Sequence, residues 1–328
     1  MSQRLDLAEI LVPAPTAKKA RLFSTASLNT HWIHRLNGDI NLTIGEAGNH
    51  SIRMNDMHAE LVLNDGTLEQ GVTGRMGRGE LSVHFTVDAG ARPVSAEFEM
   101  KGRDLDTVGL VALRKDNFID NGTFDTDIDL STHGLSMADF AANADGGIRL
   151  NLNGARMKNQ SLDFIGGDIF SNLVTIIDPL RSIGEYIDIE CSVMALEVKK
   201  GMATSKNGMA MKTDRVTLLA GGSIDLGDES LKILIFPKAR TGLGINPSSL
   251  VKIVSLGGTL SEPKIEADSG GLLGTGAAVG VALYSGGLSL LVQGLLDRNR
   301  ANADVCGLAA TGGARVKVVD VAVPDTDQ

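Results

Sequence analysis

Apolar and polar residues alternate with a period of two along much of the chain. In the segment GELSVHFTVDAG, residues 79–90, every second position is apolar. The segments at residues 38–48, 94–102, 124–134 and 147–156 follow the same pattern. Such alternation is typical of β-strands that bury one face and leave the other in water. The pattern therefore predicts a series of one-sided strands.

Short segments rich in Asn, Asp and Gly separate these strands. Examples are NDG at residues 64–66, DAG at residues 88–90 and LGDES at residues 226–230. The strands recur about every 10 residues, which favours antiparallel hairpins. The helix–strand alternation of a parallel α/β sheet is nearly absent. We predict a mainly β fold built on a long antiparallel sheet, with a few short helices.

Helical signals are few. The clearest lies at residues 136–144, where Ser136 is a suitable N-cap and Asp139 occupies the third helical position. A second lies near the C-terminus, where the 25 residues from Leu272 to Leu296 carry no charge and include six glycines. That run is long enough to cross a bilayer, so a membrane span is one alternative. We favour a C-terminal helix that packs on the end of the sheet.

A series of one-sided strands must bury its apolar face, and the chain has too few helices to cover it. The sheet can fold on itself as a sandwich, close as a barrel, or curve into an open groove whose floor a ligand covers. Only 4% of the residues are aromatic, so the apolar surface is mostly aliphatic and would suit acyl chains. The candidate groove lining is the inward alternating set Ile40, Leu42, Ile44, Leu61, Leu63, Leu81, Val83, Phe85, Val87, Phe98, Met100, Ile128, Leu130, Ile148, Leu150 and Leu152.

Charge and motif content argue against several classes of function. The net charge is −9 with acidic and basic residues mixed, which disfavours nucleic-acid binding. Asp125, Asp127 and Asp129 lack the Gly and Glu that a calcium loop needs, so a solvated strand face is the better interpretation. No zinc-ligand spacing and no nucleophile elbow is present in the sequence. We therefore expect a protein that is not an enzyme and that uses no cofactor or metal.

The C-terminal half contains the most specific sequence signal. It reads ATSKNG at residues 203–208, TDRV at residues 213–216 and GSIDLGDESLKI at residues 222–233. With the strand blocks before it, this series resembles the C-terminal region of the AsmA family of Gram-negative envelope proteins. The resemblance covers nearly the whole chain and implies a long curved β-sheet groove. It also implies outer-membrane biogenesis and the movement of phospholipid between the two membranes.

The resemblance implies a periplasmic protein that is anchored in the inner membrane by an N-terminal helix. The first residues, MSQRLDLAEILVPAP, contain neither this anchor nor a signal peptide, which taken literally predicts a cytoplasmic protein. We expect instead that the chain is either a C-terminal fragment of a longer protein or the product of a truncated reading frame. Its expected parts are residues 1–26 as the end of a preceding strand and a linker, 27–268 as the sheet, 269–302 as the C-terminal helix and 303–328 as a tail.

Two hypotheses of function follow. The first is a lipid-handling groove whose partners are phospholipid acyl chains and the inner or outer membrane. The alternative is a structural module that aids outer-membrane protein assembly through contacts with other envelope proteins. Cys191 and Cys306 fit either one disulfide or two thiols. In the oxidising periplasm that the resemblance implies, they could form a disulfide that ties the C-terminal tail to the sheet.

Overall fold

In the residues that the structure describes, sixteen β-strands form one sheet, and nearly all neighbouring strands in it are antiparallel. The structure is a computed structural model, and the sheet confirms the predicted mainly β fold. The residues that it describes are 4–6, 21–48, 53–107, 119–158, 186–205, 209–214, 216–239, 254–267 and 304–310.

The strands follow the predicted alternating segments and continue to residue 267. The first nine are β1 (Arg4–Asp6), β2 (Gly38–Gly48), β3 (Arg53–Asn64), β4 (Thr67–Met76), β5 (Gly79–Asp88), β6 (Val94–Asp106), β7 (Ile119–Asp120), β8 (Thr123–Gly134) and β9 (Asp145–Lys158). The others are β10 (Tyr186–Lys199), β11 (Met202–Thr204), β12 (Met209–Thr213), β13 (Val216–Asp225), β14 (Ser230–Ala239), β15 (Val254–Gly258) and β16 (Pro263–Ala267).

Three short helical elements accompany the sheet in the described residues. They are a 3-10 helix (Ile33–Arg35), α1 (Met137–Ala142) and α2 (Val305–Ala310). The predicted cap of α1 is confirmed, because the Ser136 hydroxyl accepts the N–H of Asp139 at 3.1 Å. That bond satisfies one of the backbone donors that a helix start leaves unpaired, so it fixes where α1 begins.

Most strands pair with the strands next to them in sequence, so the sheet is essentially a long meander. The exceptions are the short strands β7, which lies beside β9, and β12, which lies between β10 and β13. Strand β1 pairs with β2 in the parallel direction. Successive hairpins place their connections alternately at the two rims of the sheet. We call one of these the turn rim, and its connections are residues 65–66, 89–93, 135–144, 200–201, 226–229 and 259–262.

The two faces of the sheet differ in chemistry over its first half. Side chains of directly paired residues lie on the same face. One row of pairs runs through Val72, Val83, Met100, Ile128 and Ile148 across five neighbouring strands. We call this side the apolar face. The row beside it on the opposite side, the polar face, runs through Thr73, Ser82, Lys101, Asp127 and Arg149.

Two β-bulges keep the apolar face continuous. The pairing register shifts near Asp56 in β3 and near Asp104 in β6, and both aspartates have φ of 49°. Each bulge adds one residue to its strand and so reverses the alternation beyond it. As a result Met54 and Leu105 join the same buried cluster as Leu81 on the apolar side. Strict alternation would have placed both on the polar face.

Helix α2 packs on the same side of the sheet as the polar face, over a patch in the later strands where the side chains on that side are apolar. Its Val305 and Ala309 pack with Val193, Ala210 and Leu219 from three strands. A disulfide between Cys191 of β10 and Cys306 of α2 holds the helix there, with an S–S distance of 2.01 Å and a Cα–Cα distance of 6.3 Å. Val305, Cys306 and Ala309, which lie within the expected tail at residues 303–328, are buried in this helix.

The predicted C-terminal helix at residues 269–302 lies outside the described residues. Among the residues that are described, none of the helices is both long and apolar enough to cross a bilayer.

Candidate functional site

All the side chains that the sequence predicts as groove lining lie on the apolar face. The pairing registers show this directly, for example Ile40 with Leu61 and Phe85 with Phe98. Their contact with lipid stays a prediction. The full set is Ile40, Leu42, Ile44, Leu61, Leu63, Leu81, Val83, Phe85, Val87, Phe98, Met100, Ile128, Leu130, Ile148, Leu150 and Leu152.

These lining residues differ in how far other side chains cover them. Ile40 and Leu42 are 51% and 50% exposed, and Leu150 is 36% exposed. Ile44 and Leu81 are buried in the cluster with Leu105, so protein atoms already cover them. Val87 is buried in a second cluster at the turn rim. These three are core residues of the sheet, and the more exposed members are the better candidates for ligand contact.

One row on the apolar face, through Val72, Val83, Met100, Ile128 and Ile148, has no hydrogen-bonding side chain, whereas Gln70 and Thr126 lie in the rows on either side of it. Val83 lies between Val72 and Met100, and Met100 lies beside Ile128. All four side chains are partly buried. Such a surface can gain free energy only by contact with another apolar group, because it cannot donate or accept a hydrogen bond. Its chemistry therefore fits hydrocarbon.

The apolar face continues into strands that the sequence-based lining set omits. Leu150 pairs with Met194, Ile148 with Leu196, and Met194 in turn with Met209. Further along, the same face carries Met211, Leu218, Ala220, Ile224, Ile233, Ile235, Leu256 and Ile265. Alternation is harder to recognise in β10 and β13, because their polar-face positions Val193 and Leu219 are also apolar where α2 covers them.

The polar face carries the aspartates that the sequence analysis considered as a metal site. Asp125, Asp127 and Asp129 lie in β8 on this face, where Asp127 is 3.5 Å from the Arg103 guanidinium. Asp125 accepts a hydrogen bond from the Asn151 amide at 3.4 Å. Within the described ranges no group of three or more His, Cys, Asp or Glu side chains is arranged to hold a metal ion. This face is an ion-paired, solvated surface.

An N-terminal segment, residues 21–36, runs along the turn rim. We call it the strap. The Ser24 carbonyl accepts the N–H of Ala138 at 3.0 Å, and the Leu28 N–H donates to the Leu135 carbonyl at 2.7 Å. The strap therefore lies against α1. Its far end contains the 3-10 helix, whose Ile33 is only 3% exposed.

The strap and α1 cover one end of the apolar face. Ile33 packs in a cluster with Val87 and Ala96, and Phe140 of α1 packs against the same cluster. Val87 and Ala96 are directly paired on the apolar face. The cluster therefore closes that face at the turn rim, whereas Ile40 and Leu42 near the first edge stay half exposed.

Glu229 fixes the start of the strap to the turn between β13 and β14. The residue is 1% exposed, and its carboxylate accepts the N–H groups of Leu22 at 2.8 Å and Phe23 at 2.9 Å. The Arg21 guanidinium lies 3.5 Å from the same group. Burial by itself raises the pKa of the Glu229 carboxyl, but the Phe23 and Leu22 N–H groups and Arg21 outweigh it, so the pKa is lowered overall.

Comparison with known proteins gives one family and no close relative. No curated protein and no solved structure matches the chain. A family model described as the AsmA family matches residues 15–207, which is more than half of the chain and contains the strap and the strands β2 to β11. Membership of the AsmA family supports a general role for the protein in the cell envelope and in outer-membrane biogenesis. Because this family model matches more than half of the chain, the chain, whose fold is a mainly β sheet, belongs to the AsmA family.

Proposed function

We propose that the apolar face holds phospholipid acyl chains, and that the protein is a passive, non-catalytic lipid-handling module of the periplasm. The observation that carries this proposal is the unbroken apolar row across the strands from β4 to β9. Its opposite side carries ion pairs, so the two faces of the sheet differ in polarity. A sheet with one such face needs an apolar partner.

The energetics suit a passive role. Each buried CH₂ group is worth about 0.8 kcal/mol whether it is buried in a bilayer or against aliphatic side chains. Moving a lipid from one to the other is therefore nearly balanced in free energy. The task of the protein is to keep the acyl chain out of water while the head group stays at the open side. No catalytic residue is required for that.

Two further observations support a periplasmic setting. The disulfide between Cys191 and Cys306 suits an oxidising compartment, where such bonds persist. The family to which the chain belongs is associated with the envelope. We propose that the full-length protein is anchored in the inner membrane and that its partners are phospholipid and one or both membranes.

A charge placed on the apolar face tests the proposal. Val83→Asp puts a carboxylate between Val72 and Met100, where an acyl chain would have to desolvate it. We expect protein purified from a bacterial envelope to lose most of its bound phospholipid, measured by native mass spectrometry. Circular dichroism should show an intact sheet, because Val83 is only partly buried.

Ser82→Asp is the matched control. It adds the same charge in the same strand one residue away, but on the polar face. We expect this variant to keep the lipid content of the wild type. Equal loss from both variants, or a wild type that carries no lipid, would overturn the proposed function.

A further inference from the structure

The strap joins parts of the sheet that are far apart in sequence. Its start binds Glu229, with a sequence separation of 207 residues between Leu22 and Glu229. Its end reaches the connection between β5 and β6, where a ring nitrogen of His34 lies 3.1 Å from the Ala89 carbonyl. Between these points it passes over α1. The strap therefore ties the end of β13 and β14 to the end of β5 and β6.

Such a tie has mechanical consequences in a meander. Each strand makes most of its contacts with its immediate neighbours, so small changes in twist between strands add up along the sheet. A segment that fixes two distant turns limits how far the sheet can open at that rim. It also covers Val87 and Ala96, which are part of the apolar face.

The strap is held more weakly than the strands. Trp32 and Leu36 are exposed, and Ile33 is its most buried side chain among those described. Segments with few buried contacts open at low free-energy cost compared with the core. At the Glu229 end, one carboxylate receives the N–H groups of Leu22 and Phe23, and the Arg21 guanidinium also donates to the Gly227 carbonyl. Glu229 therefore accepts both backbone hydrogen bonds that attach this end.

We propose that the strap is a releasable tie, latched by Glu229, that controls access of acyl chains to the apolar face at the turn rim. This inference rests on the proposed function for its ligand. When the strap is bound, the cluster around Ile33 closes the rim. When the strap detaches, Val87, Ala96 and their neighbours become available to hydrocarbon.

The latch is tested by Glu229→Gln, which keeps the size of the side chain and removes its charge. Asp228→Asn is the matched control, because it removes the same charge from an exposed neighbour. We expect hydrogen exchange of the amides of residues 22–34 to rise on the order of tenfold or more in Glu229→Gln, because hydrogen bonds to a charged acceptor are lost. Asp228→Asn should exchange like the wild type. Equal protection in both variants would overturn the latch.

Access is tested by locking the strap. Ser27 and Ser136 form an antiparallel bridge between the strap and the residue before α1. Paired residues of this kind lie about 4.5–5.5 Å apart at Cα, which suits a disulfide. The double variant Ser27→Cys with Ser136→Cys locks the strap reversibly. Ser136→Cys alone controls for the lost cap of α1, and wild type treated with the same reductant controls for the native disulfide.

The readout is uptake of NBD-labelled phosphatidylethanolamine from vesicles of phosphatidylethanolamine and phosphatidylglycerol that also contain a rhodamine quencher lipid. We expect the oxidised lock to slow uptake severalfold relative to its reduced form, and Glu229→Gln to speed it. If the wild type takes up lipid but neither the oxidised lock nor Glu229→Gln changes the rate of uptake, the strap proposal is overturned and the proposed function is not. Absence of uptake by wild type and by Glu229→Gln, with strap exchange still raised in Glu229→Gln, would overturn the proposed function and the gating role with it.

Discussion

Replacement of both Cys191 and Cys306 by alanine is expected to lower the free energy of unfolding by about 4–5 kcal/mol. The two cysteines are 115 residues apart, and the loss of loop-closure restraint in the unfolded chain accounts for this value. Without the bond, a helix of six residues has only a small apolar contact to hold it. We expect α2 to detach and uncover Val193, Ala210 and Leu219.

Urea denaturation under non-reducing conditions measures the first effect, and binding of the dye ANS measures the second. Wild type with its disulfide reduced is the control and should behave like the double variant. An oxidised wild type and a double variant with the same unfolding midpoint and the same dye binding would contradict the assigned role of the disulfide.

The second large effect is expected at Leu105. Its side chain is 0% exposed in the cluster with Met54, Met76 and Leu81. Leu105→Ala removes three buried carbon atoms and leaves a cavity, so we expect a loss of about 3–4 kcal/mol in the free energy of unfolding. Urea denaturation checks this value.

Leu42→Ala is the matched control for Leu105→Ala. Leu42 lies on the same face of the sheet but is 50% exposed. Its replacement should therefore cost less than about 1 kcal/mol, because little apolar area is lost from the core. Equal losses at the two positions would contradict the burial pattern of the apolar face and would mean that the Leu42 end is also covered.

The alternating pattern was sufficient to predict the sheet and the shared face of its lining residues. Strand β5 shows why, because Val83 and Phe85 alternate with Ser82 and His84 without interruption. Local pairing then transmits that orientation from strand to strand. The N-cap of α1 could be predicted for a similar reason, because it depends only on Ser136 and the backbone N–H three residues later.

Features that depend on distant or unusual backbone geometry could not be predicted in this way. Nothing in the sequence marks Asp56 and Asp104 as bulge positions with positive φ. The segment LGDES predicts a turn, but the burial of Glu229 depends on Leu22 and Phe23, which are more than 200 residues away. The burial of Cys306 depends on an apolar patch formed by three separate strands.

The proposal that one face of this sheet holds acyl chains is tested most directly by photo-crosslinking in the bacterial envelope. The photoreactive residue p-benzoylphenylalanine is placed at Leu150, on the apolar face, or at Arg149, its neighbour on the polar face of the same strand. Mass spectrometry of the irradiated protein should find phospholipid adducts at position 150 and none at position 149. Equal adducts at both positions, or none at position 150, would contradict the account.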